Sequence, residues 1–434
     1  MKTYIFLLSF IVLIFAQTVK LHSQSPFSAD NLAILVAAAS ANNTTVDVLE
    51  INKVGSLVQT ITIPGTGTDA IRVSGSATST LYAANSNDGT LFCFTGHNNT
   101  TTGSNANTLN PRAVVTINNA GTISLATTYT GASGNQTRCA TTLNNTDFWI
   151  ADQGGAYTNG ASSASPSGNL RGMKAFGGTV YVGQQSGTAS NIQVSTLSAI
   201  TGGSIMGLPG LTNNNSFQDF YLISSGANGS TFDVLYTISN TSATVGTIAK
   251  YSLVSGSWVA NGTYSTTVGG FGICAEKSDT GADIYITTGS GATTANSVRK
   301  IIDAAGYNTT INVNSPANIY TAPTGTIIKG IAFAPKAPPA LPVVSLSVDP
   351  DTGSEADATV ITVTATTDVP VTGDQTVSIS VSGTGITPGD YTLSSSTITI
   401  LDGQTSGSVT FTVVDGMDVE GTETATLTLT SPSA

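Results

Sequence analysis

The side chains that could do chemistry in this chain are few. It has two histidines, and His22 falls in an apolar N-terminal leader, so His97 alone is left for acid–base work. His97 stands in Thr95-Gly96-His97-Asn98-Asn99, which reads as part of a solvent-exposed polar insertion from Thr95 to Asn110. A Ser-His-Asp or Cys-His site would need that one residue to reach a nucleophile from a loop, and no Gly-x-Ser-x-Gly elbow accompanies it. Zinc or iron centres built on several histidines are excluded by count. No Gly-x-x-x-x-Gly-Lys phosphate cradle occurs. Cys93, Cys139 and Cys274 are odd in number and widely spaced, which suits small buried residues better than a disulfide framework or a zinc site. Carboxylate-only chemistry stays open, because a glycosidase needs two acids at a suitable separation and calcium-assisted hydrolysis needs only oxygen ligands. Asp147 with Asp152 is one such pair, although Asp is also ordinary at turns between strands.

The elements that would position these groups show a repeat. An apolar residue, an aromatic and another apolar residue recur as Thr80-Leu81-Tyr82-Ala83, Asp147-Phe148-Trp149-Ile150, Thr179-Val180-Tyr181-Val182, Val234-Leu235-Tyr236-Thr237 and Asp283-Ile284-Tyr285-Ile286. Each follows a strand of small residues beginning near Arg72, Arg138, Arg171, Asp219 or Phe271, and Lys329-Gly330-Ile331 repeats that first strand once more. Further strands rich in Thr, Val and Ile and turns of Gly and Asn fill each interval. Repeats of about 40–50 residues with several strands each are the pattern of propeller blades. Leu32 to Ala38, Thr45 to Ile51 and Leu57 to Ile63 are three strands without a first-strand partner, and Ile328 to Pro335 is a first strand without a blade. Pairing them closes a ring and removes exposed sheet edges. Six blades result, or seven if the Thr95–Asn110 insertion hides a strand pair; an open solenoid is the structural alternative. The repeated aromatic is expected to pack between blades rather than to stack on a ligand.

Basic residues are scarce, fourteen in all, and four of them, Arg72, Arg138, Arg171 and Lys329, occupy equivalent starts of the innermost strand. In a propeller that position lies near one mouth of the central channel. A partly basic ring able to hold an anionic group or a surface carboxylate is the ligand-binding expectation. The competing reading is that each residue pairs with a local acid or caps turn carbonyls.

Composition bounds the class and the partners. Only 9% of the 434 residues are charged, and Ser, Thr, Asn and Gly take the polar positions, which suits pleated faces and tight turns. Beyond the leader no long stretch has a 3.6-residue apolar period, so the chain is all-β. A net charge of −11 leaves no basic footprint for nucleic acid, and the 40% hydrophobic content can build a core. Lys2 followed by the apolar run Tyr4 to Ala16 has signal-peptide length, with exits after Ala16 or, preferred, after Ser23, giving a signal peptide over 1–23. It is too short to span a bilayer, and no second apolar run follows, so no membrane span and a secreted or cell-surface location are expected.

Residues 24–335 thus form the repeat domain, and Lys336 to Pro342, with its three prolines closely spaced, reads as a stiff linker over 336–342. Strict alternation then resumes from Val344 to Thr430 in a β-sandwich pattern of Ig-like size. Ser354-Glu355, Gly389-Asp390-Tyr391, the turn Asp402-Gly403-Gln404, and Val414 to Glu423 follow one another in an order and spacing that resembles the Calx-beta family, over 343–434. The resemblance implies a sandwich of extracellular type and calcium as a cofactor. It places carboxylate ligands at Glu355, Asp390, Asp415, Glu420 and Glu423, with the Asp418 carbonyl as a further donor. Six to eight oxygens are what Ca²⁺ takes, and clustered carboxylates repel one another without it. Gly416 stands where many members carry a second Asp, and the family's final strand and closing acids are missing, so the chain reads as a fragment of a longer protein.

The functional expectation is a secreted or cell-surface protein of adhesion or cell-communication type. Its propeller would bind an extracellular protein or glycan, carried on a Calx-beta module that calcium stiffens. The alternative is an exported hydrolase with a carboxylate or calcium site at the propeller mouth.

Overall fold

The computed structural model describes residues 25–28, 30–186, 193–339, 342–416 and 421–432, so the leader over 1–23 lies outside the described residues. Apart from one 3-10 turn at Ala106–Thr108, every regular element described is a β-strand. No described helix is long and apolar enough to cross a membrane. The chain divides into two compact units, Met1–Pro338 and Pro339–Ala434.

The first unit is propeller-like, with six small antiparallel sheets among the described residues. Strand Thr326–Phe333 pairs with Leu32–Ala38, matching Leu32 to Phe333 and Ala37 to Ile327, so the last strand of the unit completes the first sheet. Val46–Ile51 and Leu57–Thr62 follow outward in that sheet. The other innermost strands are Thr137–Thr142, Asn169–Phe176, Phe217–Ile223 and Ile273–Lys277.

The second sheet departs from the repeat as read from sequence. Its Leu91–Asn98 strand pairs with Ile71–Arg72 at one end and with Ala84–Asn85 at the other. The segment that reaches the axis is the later one: Gly330 N–H donates to Leu81 O at 2.8 Å, and Tyr82 N–H donates to Arg138 O at 3.0 Å. Leu81 turns the chain inward with φ 61°, the left-handed region that few side chains adopt. Tyr82 therefore belongs to an innermost segment, just before the Ala84–Asn85 strand, whereas Trp149, Tyr181, Tyr236 and Tyr285 lie on second strands. The polar insertion is also shorter than read, because Leu91–Asn98 runs through Thr95 and His97.

Inner strands are crowded on both faces. Thr137–Thr142 is buried at all its positions although it reads Thr-Arg-Cys-Ala-Thr-Thr. Small side chains suit a place where six backbones converge. Gly330 shows the limit: a Cβ there would lie 2.5 Å from both Ala83 N and Leu81 O. Between the first two sheets, Phe92, Phe94, Val115 and Ile117 pack against Val48 and Ile61. At the axis, Tyr82 stacks on Phe271 with centroids 4.5 Å apart, in one cluster with Cys139 and Met173. The repeated aromatics Tyr82, Trp149, Tyr236 and Tyr285 are all buried. All three cysteines are buried and free.

In the second unit, Val344–Asp349, Val360–Thr367, Ser406–Val413 and Tyr391–Leu393 form one sheet, and Thr397–Ile400, Gln375–Thr384 and Thr424–Pro432 another. Val363, Ala365 and Phe411 of the first meet Val377, Ile379, Ile398 and Ile400 of the second in a shared apolar core. Tyr391 stacks on Phe411 at 4.8 Å.

Candidate functional site

Lys174 projects from its inner strand to the axis. Its Nζ donates to Asp219 Oδ2 at 2.9 Å, to Ala83 O at 3.2 Å and to Ile273 O at 3.3 Å. Ile273 N–H donates to the same Asp219 oxygen at 3.2 Å. One ion pair thus joins four of the inner segments. Burial raises the Asp219 carboxyl above its ordinary value, and the Lys174 ammonium draws it back. A Cβ on Gly172 would stand 2.2 Å from Asp219 Oδ1, so glycine admits the carboxylate. Sequence reasoning missed this pair. Its members are 45 residues apart in different sheets, and the signal on hand was one Lys and one Asp in strands that are mostly small or apolar.

Beyond Lys174, the C-terminal ends of several inner strands enclose a cleft of about 320 Å³. Its wall is aromatic: Phe176 meets Tyr221 edge-on at 4.9 Å and Phe232 at 5.3 Å, and Tyr221 meets Phe333 at 6.0 Å. Tyr221, Phe232 and Phe333 are partly exposed, and burial raises the Tyr221 phenol. Asn85, Asn87, Lys277 and Lys336 supply polar lips. Two of the cleft's carboxylates are already committed. Glu276 pairs with Lys53 at 2.6 Å and accepts from the Tyr285 hydroxyl at 3.2 Å. Asp88 accepts from Ser86 Oγ at 2.6 Å and Asn145 Nδ2 at 2.7 Å; burial opposes its ionisation, but these bonds and those from Thr90 outweigh it and hold the carboxyl low.

The four basic residues singled out from sequence do not form one ring. Arg72 lies on the Ile71–Arg72 strand, off the axis, where its Nε donates to Asn43 Oδ1 at 2.7 Å. The equivalent inner position is taken by the Tyr82 segment, which carries the same apolar-aromatic-apolar pattern as a second strand and so set the register wrong. Lys329 is fully buried and caps the Ala77 and Gly291 carbonyls, with Nζ 5.8 Å from the Phe271 ring centre. Burial lowers its pKa to about 7. Arg138 donates to Ser79 O, and to Asn169 Oδ1 at 3.1 Å. Arg171 lies beside it, its charge acting on both Arg138 and Tyr82.

His97 is buried, contrary to its reading as exposed, because it faces inward on Leu91–Asn98. Its Nδ1 stands 2.9 Å from Leu109 O, and burial lowers its pKa to about 4. Asp147 and Asp152 do not act together: Asp152 is buried against Arg112 and the Tyr129 hydroxyl, whereas Asp147 is exposed and accepts from Asn144 Nδ2.

In the second unit, Glu355, Asp390 and Glu423 line one cleft of about 720 Å³. Partial shielding from water, with the charges of Asp390 and Glu355, raises the Glu423 carboxyl above its ordinary value. Asp390 is buried and accepts the Thr387 N–H. Asp415 is exposed, and Asp418 and Glu420 lie outside the described residues. These hard oxygen donors suit Ca²⁺ in kind. Among the described residues, however, no three His, Cys, Asp or Glu side chains stand close enough to hold a metal ion.

No family model matches the chain. No curated protein matches it. Among solved structures it is similar to a protein of Bacteroides uniformis provisionally described as a 6-phosphogluconolactonase, at 11% identity and TM-score 0.40, over 69% of this chain and 83% of that one. A Bacteroides fragilis protein of the same provisional description gives 10% identity and TM-score 0.38, over 70% and 98%. The WD40 domain of SCAP from fission yeast gives 9% identity and TM-score 0.29, over 90% and 97%.

Proposed function

We propose that this chain is an exported recognition protein whose axial cleft binds a saccharide. The observation that carries the reading is the cleft itself, an aromatic wall edged by amides and ammonium groups with its Glu276 and Asp88 carboxylates engaged elsewhere. Sugar rings present C–H faces to aromatics and hydroxyls to amide and charged groups, which is the mixture this cleft offers. A hydrolase would need two acids free to face one bond, and the engagement of Glu276 and Asp88 favours binding over that alternative. The C-terminal unit is read as a Calx-beta-type stalk in which Glu355, Asp390 and Glu423, with Asp415, Asp418 and Glu420, would hold calcium. The ion would supply the positive charge that lets these carboxylates converge. Export rests on the leader sequence, and a surface role in adhesion or cell contact follows from joining a binding head to such a stalk.

The test is calorimetric titration of the full chain with cellohexaose, xylohexaose and chitohexaose. Binding of at least one, weakened roughly 2- to 10-fold by Phe232→Ala as expected for one aromatic contact, supports the reading. Release of reducing ends would move it to the hydrolase, and no heat with any of the three would remove the saccharide. A melt of the second unit that is unchanged between calcium and chelator would remove the metal.

A further inference from the structure

Arg138 and Arg171 sit near the starts of their inner strands, at the opposite end of the axis from the cleft. Arg138 is 2% exposed and Arg171 5% exposed. Neither belongs to an ion pair among the described residues. Nε and Nη1 of Arg171 and Nε of Arg138 are buried without a hydrogen-bond partner. The carboxylates whose charge reaches this place are already spent, Asp152 on Arg112 and Asp219 on Lys174. Burial, and then the Arg171 charge, lower the Arg138 pKa to about 10. The Tyr82 hydroxyl completes the group and donates to Gln218 Oε1 at 3.2 Å.

Two neighbouring buried guanidiniums without an acid are unfavourable twice over, through lost hydration and through like-charge repulsion. Water could satisfy the free N–H groups but would leave the two charges without a counter-charge. An oxyanion answers both, since its oxygens accept from forked guanidinium donors while its charge offsets theirs. We propose that Arg138 and Arg171 form an anion site at this end of the propeller axis, which takes a small oxyanion: a carboxylate, phosphate or sulfate group. The group could arrive as a free ion or as the acidic end of a larger ligand such as a uronate.

Thermal melts of the full chain at constant ionic strength test this, with sodium chloride replaced by phosphate, sulfate, acetate or glucuronate. At a hundredfold excess over Kd, at least one oxyanion should raise the wild-type Tm by about five degrees relative to chloride. Arg171→Gln should abolish the rise, and Phe232→Ala, at the other end, should leave it intact. That variant separates failure here from failure of the saccharide reading. A rise with glucuronate alone assigns the site to a ligand's acidic end; a rise with inorganic phosphate or acetate assigns it to the free ion. If Arg171→Gln does not fold, the ³¹P line of inorganic phosphate decides: broadening by wild-type protein, reversed by sulfate or glucuronate, supports the site. Equal melts in all salts with an unbroadened phosphate line, or an undiminished rise in Arg171→Gln, would overturn it.

Discussion

Lys174 Nζ lies 2.9 Å from Asp219 Oδ2 at the centre of the ring of inner strands, with side-chain exposures of 3% and 1%. Because the same two groups also hold Ala83 O, Ile273 O and the Ile273 N–H, the pair fastens sheets that share no strand pairing with one another. Asp219→Asn should therefore destabilise the propeller unit by about 3–5 kcal/mol, the cost of leaving a buried charge uncompensated. Lys174→Met with Asp219→Asn should lose clearly less than the sum of the single changes. Urea unfolding measures both, and a single-variant loss below about 1 kcal/mol would count against a fastening role.

Gly172 faces the same carboxylate. Gly172→Ala should cost about 1–3 kcal/mol, because the added methyl meets Asp219 Oδ1 in a site with no room to yield. In an Asp219→Ala background the cost of the same substitution should fall, which a double-mutant cycle reads directly. An unchanged cost would place the strain elsewhere.

His97 gives the acid limb its shape. Its folded pKa is lowered to about 4 by burial, against 6.5 for the free side chain. Between those values the unfolded chain binds a proton that the native state refuses, so stability falls on acidification from about pH 6.5 to about pH 4. The contribution approaches about 1.4 kcal/mol per pH unit inside that window. Unfolding free energies of wild type and His97→Gln across it should diverge in slope, and parallel slopes would refute the assignment.

Lys329 acts at the alkaline end with the same sign. Its pKa is lowered to about 7 by burial, from 10.5, so above pH 7 the native state sheds a proton that the unfolded chain keeps. Stability should rise with pH from about 7 towards 10, and Lys329→Met should flatten that rise. Slopes are the quantity to compare, because Met also leaves the Ala77 and Gly291 carbonyls without their donor. A variant that keeps the full slope would show that another group carries it.

Much of the propeller is legible in local pattern because strand periodicity is a short-range property. Leu32 to Ala38 reads as a strand without an inner partner and Ile328 to Pro335 as a partner without a blade, and Thr326–Phe333 does pair with Leu32–Ala38. The glycines of Arg171-Gly172-Met173 and Lys329-Gly330-Ile331 mark inner strands in the sequence, and the close approach of Asp219 Oδ1 and of the Leu81–Ala83 backbone supplies the reason. The site was far less legible. Arg72 and Tyr82 each match a repeat motif in their own few residues, yet only one of their segments can occupy the axis. Arg138 and Arg171 are recognisable from their positions, but their lack of acid partners is not, since it depends on Asp152 and Asp219 being taken by Arg112 and Lys174.

The sequence by itself determined that the chain is all-β and repetitive, and that no site built on several histidines exists, since these follow from composition and two-residue alternation. Only the tertiary structure decided which segment fills the inner position of the second sheet, which charges meet at the axis, and where an aromatic cleft opens. Those choices are made when segments far apart in sequence compete for a narrow axis, where backbone clearance and the pairing of buried charge outweigh local pattern.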